Sequence, residues 1–222
     1  MKHLNQYINI RKKPSTVVAE DDTIFNIVKD GILKFGKNAD LNYIDTSRCT
    51  KFDSLFYKCF FNNIDDVNPD VSKWNVSNVY DFSFCFCVTS FNGDLSEWDM
   101  SSAQNLNSMF NDDNVFDGTC LKKWAQSLSN VVNTGYMFRA TSITGKELEE
   151  WEFSKNLQIT ANMFCGCKKL DCDLSSWDLT YLNKSSQYEY MLTGCTNMYK
   201  KPEAWPHVKA PKQLFKRSDK VY

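Results

Sequence analysis

The chain carries little of what surface chemistry requires. Its only histidines, His3 and His207, sit in the terminal segments, and its eight glycines form no phosphate-cradling loop. Neither G-x-S-x-G nor H-E-x-x-H occurs. Carboxylates pair at Asp65-Asp66, Asp112-Asp113 and Glu149-Glu150, and adjacent acids of this kind read as a solvated face. These absences point away from an enzyme, with no catalytic residue, no cofactor and no metal ligand assigned. Charge of one sign is also missing: 26 basic against 27 acidic residues leave a net charge of −1. That balance gives no broad pull on nucleic acid. The local clusters Arg11, Lys12, Lys13 and Lys209, Lys212, Lys216, Arg217, Lys220 do not interleave aromatics in a nucleic-acid-binding pattern, so they read as solvated ends. No apolar run approaches the roughly 18 residues of a membrane helix, which argues against insertion. Met1 to Ile10 is polar, without the apolar core of an export signal, and the first cysteine, Cys49, stands too far in for a lipoprotein anchor. The expected location is therefore cytoplasmic or virion-associated.

Cysteine is the exception, with nine in the chain. The tightest groupings, Cys85-x-Cys87 and Cys165-x-Cys167 with Cys172, lack C-x-x-C spacing and a nearby histidine. Cys59, Cys167 and Cys195 each fall three residues after the Phe or Leu that closes a repeat, where other repeats carry Thr89, Asp113 and Thr141. A position that takes Cys, Thr or Asp is a small turn or inner corner. The odd count and the missing export signal make reduced structural thiols the expectation.

What the chain does have is a period. Its six tryptophans, Trp74, Trp98, Trp124, Trp151, Trp177 and Trp205, are separated by 24, 26, 27, 26 and 28 residues. Self-similarity at this period marks small units that bury their apolar faces only by stacking. The motif reads L-x-x-W-x-φ, with φ apolar: Val71, Trp74, Val76; Leu95, Trp98, Met100; Leu148, Trp151, Phe153; Leu174, Trp177, Leu179. Leu121 and Trp124 form a partial copy broken at Gln126, and Leu41 with Ile44 an earlier one. Residues two apart on a strand share a face, so Trp and its partner at plus two should point inward. Asp45, Asn75, Asp99, Glu152 and Asp178, which lie between them, should point out. A hydroxyl follows at Ser47, Ser77, Ser101, Ser127, Ser154 and Thr180, placed to bond backbone amides or cap a helix. Apolar residues then fall at plus five, eight and twelve from Trp, as in Val79, Phe82, Phe86 and Ala103, Leu106, Phe110. Steps of three and four predict a short helix, ending in later units at Met137-Phe138, Met163-Phe164 and Met191-Leu192.

The runs Trp74-Asn-Val-Ser-Asn-Val79 and Phe91-Asn-Gly-Asp-Leu-Ser-Glu-Trp98-Asp-Met-Ser resemble the BspA-like leucine-rich-repeat family, and Asn38 to Asp45 looks like the opening of such an array. The resemblance spans about residues 38 to 205. It departs from the family pattern at the 30-residue first interval, at Gln126, and at Pro202-Glu-Ala-Trp205-Pro, where prolines cannot donate ladder bonds. Members occur in mycoplasmas, Bacteroides and phages, and many are surface proteins thought to bind other proteins.

The expected fold is an α+β repeat solenoid, leucine-rich-repeat-like. Short parallel strands and short helices would stack in about seven units of 24–30 residues behind an N-terminal helical cap. Its parts would be a tail over 1–22 that could act as a targeting segment, a capping helix over 23–37, the solenoid over 38–206 and a basic tail over 207–222. Thr23 to Phe35 carries Ile24, Ile27, Val28, Ile32 and Leu33 at helical spacing, and would cover strand edges otherwise open to self-association. The expected function is a non-enzymatic scaffold binding a protein partner through outward strand-face residues and loops, the binding residues unassigned. The alternative is a phage structural or internal virion protein packaged through its N-terminal segment, since Met1-Lys-His-Leu-Asn-Gln-Tyr-Ile8 looks like the openings of several phage head proteins.

Overall fold

The computed structural model describes residues 15–57 and 66–198. Residues 1–14 of the N-terminal tail, which include the opening Met1–Ile8, the basic C-terminal tail, Cys59 and the Trp205 segment lie outside the described residues. A short strand, β1 (Val17–Val18), leads into a helix, α1 (Ile24–Phe35), and then a second strand, β2 (Ile44–Asp45). β1 and β2 pair in parallel, Val17 with Ile44 and Val18 with Asp45. The inner face of α1 buries Ile24, Val28 and Ile32, whereas Ile27 is half-buried and Leu33 is 62% exposed. Gly31 lets the helix sit down: a Cβ there would lie 2.7 Å from the Leu41 side chain and 2.8 Å from the Tyr43 hydroxyl. Asp21, just ahead of α1, clamps this end to the next segment. Its carboxylate accepts from the Thr50 N–H and hydroxyl, both at 2.6 Å, and from the Lys51 N–H at 3.1 Å. Burial raises its pKa, but these donors outweigh it and hold the carboxyl below the usual value.

Beyond β2 the architecture corrects the expected fold class. The stack of about seven strand-plus-helix units is not present: among the described residues there is one α-helix, one two-stranded sheet of two residues per strand, and three 3-10 segments, Thr119–Gln126, Lys146–Leu148 and Ser185–Gln187. Where each short helix was expected, the chain forms overlapping β-turns. In 82–89 the N–H groups of Cys85 and Cys87 bond back to Phe82 and Phe84, three residues earlier, instead of the four of an α-helix. Phe84 and Val88 have positive φ, 57° and 55°, which a right-handed helix cannot contain. The alternate N–H groups, of Phe82, Phe84, Phe86 and Val88, instead cross to the carbonyls of Asn105, Asn107, Met109 and Asn111. Closed turns also bring residues three and four apart to one side, which is why the apolar spacing imitates a helix.

This cross-bonding recurs from segment to segment. Isolated parallel bridges link Lys51, Asp81, Asn105, Asn133 and Ile159 in order. The closing phenylalanines stack on one another in the interior, with near-parallel rings: Phe56–Phe86 at 5.1 Å, Phe86–Phe110 at 5.6 Å, Phe110–Phe138 at 5.8 Å and Phe138–Phe164 at 5.7 Å. Trp74, Trp98, Trp124, Trp151 and Trp177 are all buried, and so are Val76, Met100 and Leu179 two residues on.

The L-x-x-W spacing has its own cause. The backbone N–H of Trp74, Trp98, Trp151 and Trp177 closes a turn onto the carbonyl three residues before it. The carbonyls of Leu41, Val71, Leu95, Leu121 and Leu148 also accept the indole N–H of the next tryptophan along the chain, at 3.0, 3.1, 3.0, 3.3 and 2.9 Å. A buried indole requires such a partner, and a phenyl ring would not supply it. Where Asp or Asn follows Trp, or follows Ile44 in the Trp slot, it serves a related purpose. Asp45, Asn75, Asp99 and Asp178 each accept the N–H two residues on, from Ser47, Ser77, Ser101 and Thr180, at 3.0 to 3.1 Å. These Asx turns replace the helix capping expected of the hydroxyls.

Candidate functional site

Several of the groups able to do chemistry have structural partners. Asp112 and Asp113 diverge: Asp112 pairs with Arg139 at 2.8 Å on the surface, while Asp113 is buried. Glu149 accepts the Asp173 N–H at 3.1 Å and Asp66 accepts the Ser90 hydroxyl at 2.8 Å. Asp112 and Asp113 do not share a site, and Asp65 lies outside the described residues. Cys49, Cys85, Cys120, Cys165, Cys167 and Cys195 are free thiols. Burial pushes Cys49 up to about 12, Cys120 and Cys167 to about 11, and Cys85, Cys165 and Cys195 upward as well, so each thiol stays protonated and poorly nucleophilic. Among the described residues no group of three or more His, Cys, Asp or Glu is placed to hold a metal ion, and no helix is long and apolar enough to cross a membrane.

The corner expected to take small polar residues is an interior column of side-chain bonds. Thr141 donates to the Phe138 carbonyl at 2.8 Å, and the thiols of Cys167 and Cys195 donate to the Phe138 and Phe164 carbonyls at 2.7 and 2.9 Å. Asp113 is the column's ionisable member. Its Oδ2 lies 2.8 Å from Thr89 Oγ1 and accepts the Phe91 N–H at 2.8 Å, and its Oδ1 accepts from Val115 and Phe116, both at 3.3 Å. Burial pushes its pKa up to about 7 against the pull of these donors. Thr89 Oγ1 also lies 2.7 Å from the Phe86 carbonyl oxygen. Thr89 Oγ1 has one hydrogen for two acceptors, Asp113 Oδ2 and the Phe86 carbonyl, so protonation of Asp113 would let both contacts be hydrogen bonds.

The surface feature that structure leaves unexplained is on the turn face. Two residues before each closing Phe or Leu, one position recurs as Ser54, Phe84, Ser108, Tyr136, Asn162 and Tyr190, with φ of 57°, 57°, 56°, 58°, 58° and 60°. The N–H of each of the first five donates to the carbonyl just before the next member, from Ser54 to Ser83 through Asn162 to Glu189. The six positions therefore lie in one row. Small polar and aromatic residues alternate along it. Phe84 is 39% and Tyr136 41% exposed, Tyr190 is half-exposed and Ser108 is buried between its neighbours. Ile159, 38% exposed, lies against Gly135 beside Tyr136: a Cβ on that glycine would be 3.3 Å from its side chain. Asp53, Asp81 and Glu189 flank the row. Large rings held partly exposed in a left-handed backbone region are costly to the fold.

None of these rings belongs to the tryptophan-centred motif, so reading the chain from Trp passes over them. Counted from Trp the row drifts because later segments carry extra residues. Counted back from the closing Phe or Leu it is constant, and that register was the available signal. The Trp-plus-one residues expected to face out do so, Asn75, Asp99, Glu152 and Asp178 being exposed and Asp45 half-buried.

A family of known sequences matches the chain over residues 58–159 and again over 89–205, and its description is Mycoplasma protein of unknown function, DUF285. The chain belongs to this family. Two overlapping matches of one family fit a chain in which the same motif recurs. No curated protein matches it, and no solved structure does.

Proposed function

We propose that the protein is a non-enzymatic interaction scaffold whose partner is another protein, bound on the turn face. The observation that carries this reading is the row in which Phe84, Tyr136 and Tyr190 are held outward at alternate positions of a hydrogen-bonded stack. Rigid aromatics with few rotatable bonds are common anchors of protein interfaces. Burial of the thiols, and of the carboxylate at Asp113, supports the same reading by leaving no activated nucleophile on that face. The motif likeness to BspA-like proteins, many of them thought to bind proteins, points the same way. The alternative virion role rests on Met1–Ile8, outside the described residues.

The test replaces both rings with residues that tolerate the local backbone. Phe84→Asn with Tyr136→Asn should leave the denaturation midpoint unchanged or higher, because Asn accepts positive φ. Cross-linking in cell lysate, read by mass spectrometry, should then lose a defined set of partners. Recovery of the same partners by both proteins would overturn the assignment of this face.

A further inference from the structure

The alternation along the row fixes a length. Segments bridged in parallel lie about 4.8 Å apart, so aromatics on every second segment repeat at about 9.6 Å. A polyproline II helix advances about 3.1 Å per residue and turns once in three residues, repeating at about 9.3 Å. The spacing of Phe84, Tyr136 and Tyr190 thus matches successive turns of such a helix, with the smaller Ser108 between the first two and Asn162 between the last two. An extended β-strand, whose same-face residues repeat at about 6.8 Å, falls out of step after one contact.

Charge supplies the second argument. Lys51 lies over the Tyr80 ring, 5.8 Å from its centroid, and Arg139 is paired with Asp112. Among the described residues no ion pair joins a cationic side chain to Asp53 or Asp81 at one end of the row or to Glu189 at the other, and the Lys51 charge acts on Asp53 only at longer range. The face therefore offers carboxylates beside its aromatic rings.

We propose that the row Phe84–Tyr136–Tyr190 docks a proline-rich segment in polyproline II conformation that carries a basic residue beside its proline repeat. This rests on the reading of the turn face as a protein-binding surface and narrows the partner's chemistry. Prolines at every third position sit over Ser108 and Asn162 between the rings. The phenol hydroxyls of Tyr136 and Tyr190 reach carbonyls that a polyproline helix leaves unbonded. An arginine or lysine at either end meets Asp53 and Asp81 or Glu189.

The probe is a synthetic peptide with proline at every third position and arginine at one end, titrated by calorimetry against the full chain. Binding is expected to fall about tenfold or more for Tyr136→Asn and for Phe84→Asn. It should weaken when proline is replaced by alanine, and weaken with salt. Lys155→Ala, away from the row, should change nothing. Panning a random peptide library on the wild type, with the double Asn variant as counter-selection, separates the two readings. Row-dependent peptides without a proline repeat would overturn the polyproline assignment and leave the interaction face standing. Row-dependent binding of a soluble β-linked oligosaccharide, with no row-dependent peptide, would overturn both.

Discussion

At the scale of the residue, tryptophan and phenylalanine hold different offices. Each buried indole donates to a carbonyl of the preceding segment, and those of Leu41, Val71, Leu95 and Leu148 also accept a backbone N–H. Removing the ring and removing only its N–H should therefore separate cleanly. Trp98→Ala should cost about 3 to 5 kcal/mol by opening a cavity. Trp98→Phe should cost only about 1 to 2, because the Val71 carbonyl keeps its bond from Trp74 and only the indole bond and some volume are lost. Urea midpoints measure both, and equal losses would show that the hydrogen bond, not packing, dominates. The left-handed positions give a prediction of opposite sign. Val88 is β-branched at φ 55°, where Asp112, Ala140, Gly166 and Gly194 stand in later segments. Val88→Gly should relieve strain and stabilise by about 0.5 to 1 kcal/mol after the entropy cost of glycine. Unchanged or lowered stability would mean that the valine side chain contributes more by packing than its backbone costs.

At the scale of the element, the buried corner around Asp113 links structure to pH. The folded carboxyl titrates near 7 against an ordinary value of 3.8. Between those values the folded chain keeps a proton that the unfolded chain has released. Stability from this group is then complete below the unfolded value and declines as pH rises through the window towards 7, by at most about 4 kcal/mol. Asp113→Asn, neutral throughout, should remove that slope. A wild-type midpoint that rises with pH across the same window, with the variant as reference, would show that the four donors hold the carboxylate ionised instead. The corner also shows how far the sequence was readable. A position accepting Thr, Asp and Cys could be recognised as small and inward, because size leaves a trace in composition. Which carbonyl each side chain bonds could not, since Phe86 and Phe138 offer theirs only once neighbouring turns are stacked. The expected helices failed for the same reason: apolar residues at Val79, Phe82 and Phe86 fit helix and turn ribbon alike. The discriminating fact, positive φ at Phe84 and Val88, has no signature in residues that usually avoid it. Helix α1 was legible because its pattern stands alone, with Gly36 ending it at φ 93° and bonding Ile32.

At the scale of the molecule, the spacing of the tryptophans revealed that segments repeat, while the elements within them and the row on the turn face did not follow from it. The row lies in the register of the closing phenylalanines, and those rings also organise long-range coupling. Within the column each Phe stacks only on its immediate neighbours, and its other ring contacts, such as Phe86 with Phe91 and Phe110 with Phe116, are local, so perturbation should pass by nearest neighbours. Phe86→Leu and Phe110→Leu alter rings 5.6 Å apart with nearly parallel planes. Their double variant should depart from additivity by about 0.5 kcal/mol or more, because the second substitution acts on packing the first has already loosened. Phe56→Leu and Phe164→Leu stand at opposite ends of the same column and share no neighbour. Their effects should add within about 0.3 to 0.5 kcal/mol, provided the chain unfolds as one cooperative unit. Midpoints from equilibrium denaturation, read by tryptophan fluorescence and by circular dichroism, test both cycles. If the two probes diverge for the end variants but not for the central ones, the column is frayed at its ends. Coupling between Phe56 and Phe164 as strong as that between Phe86 and Phe110 would instead mean that the core responds as one block.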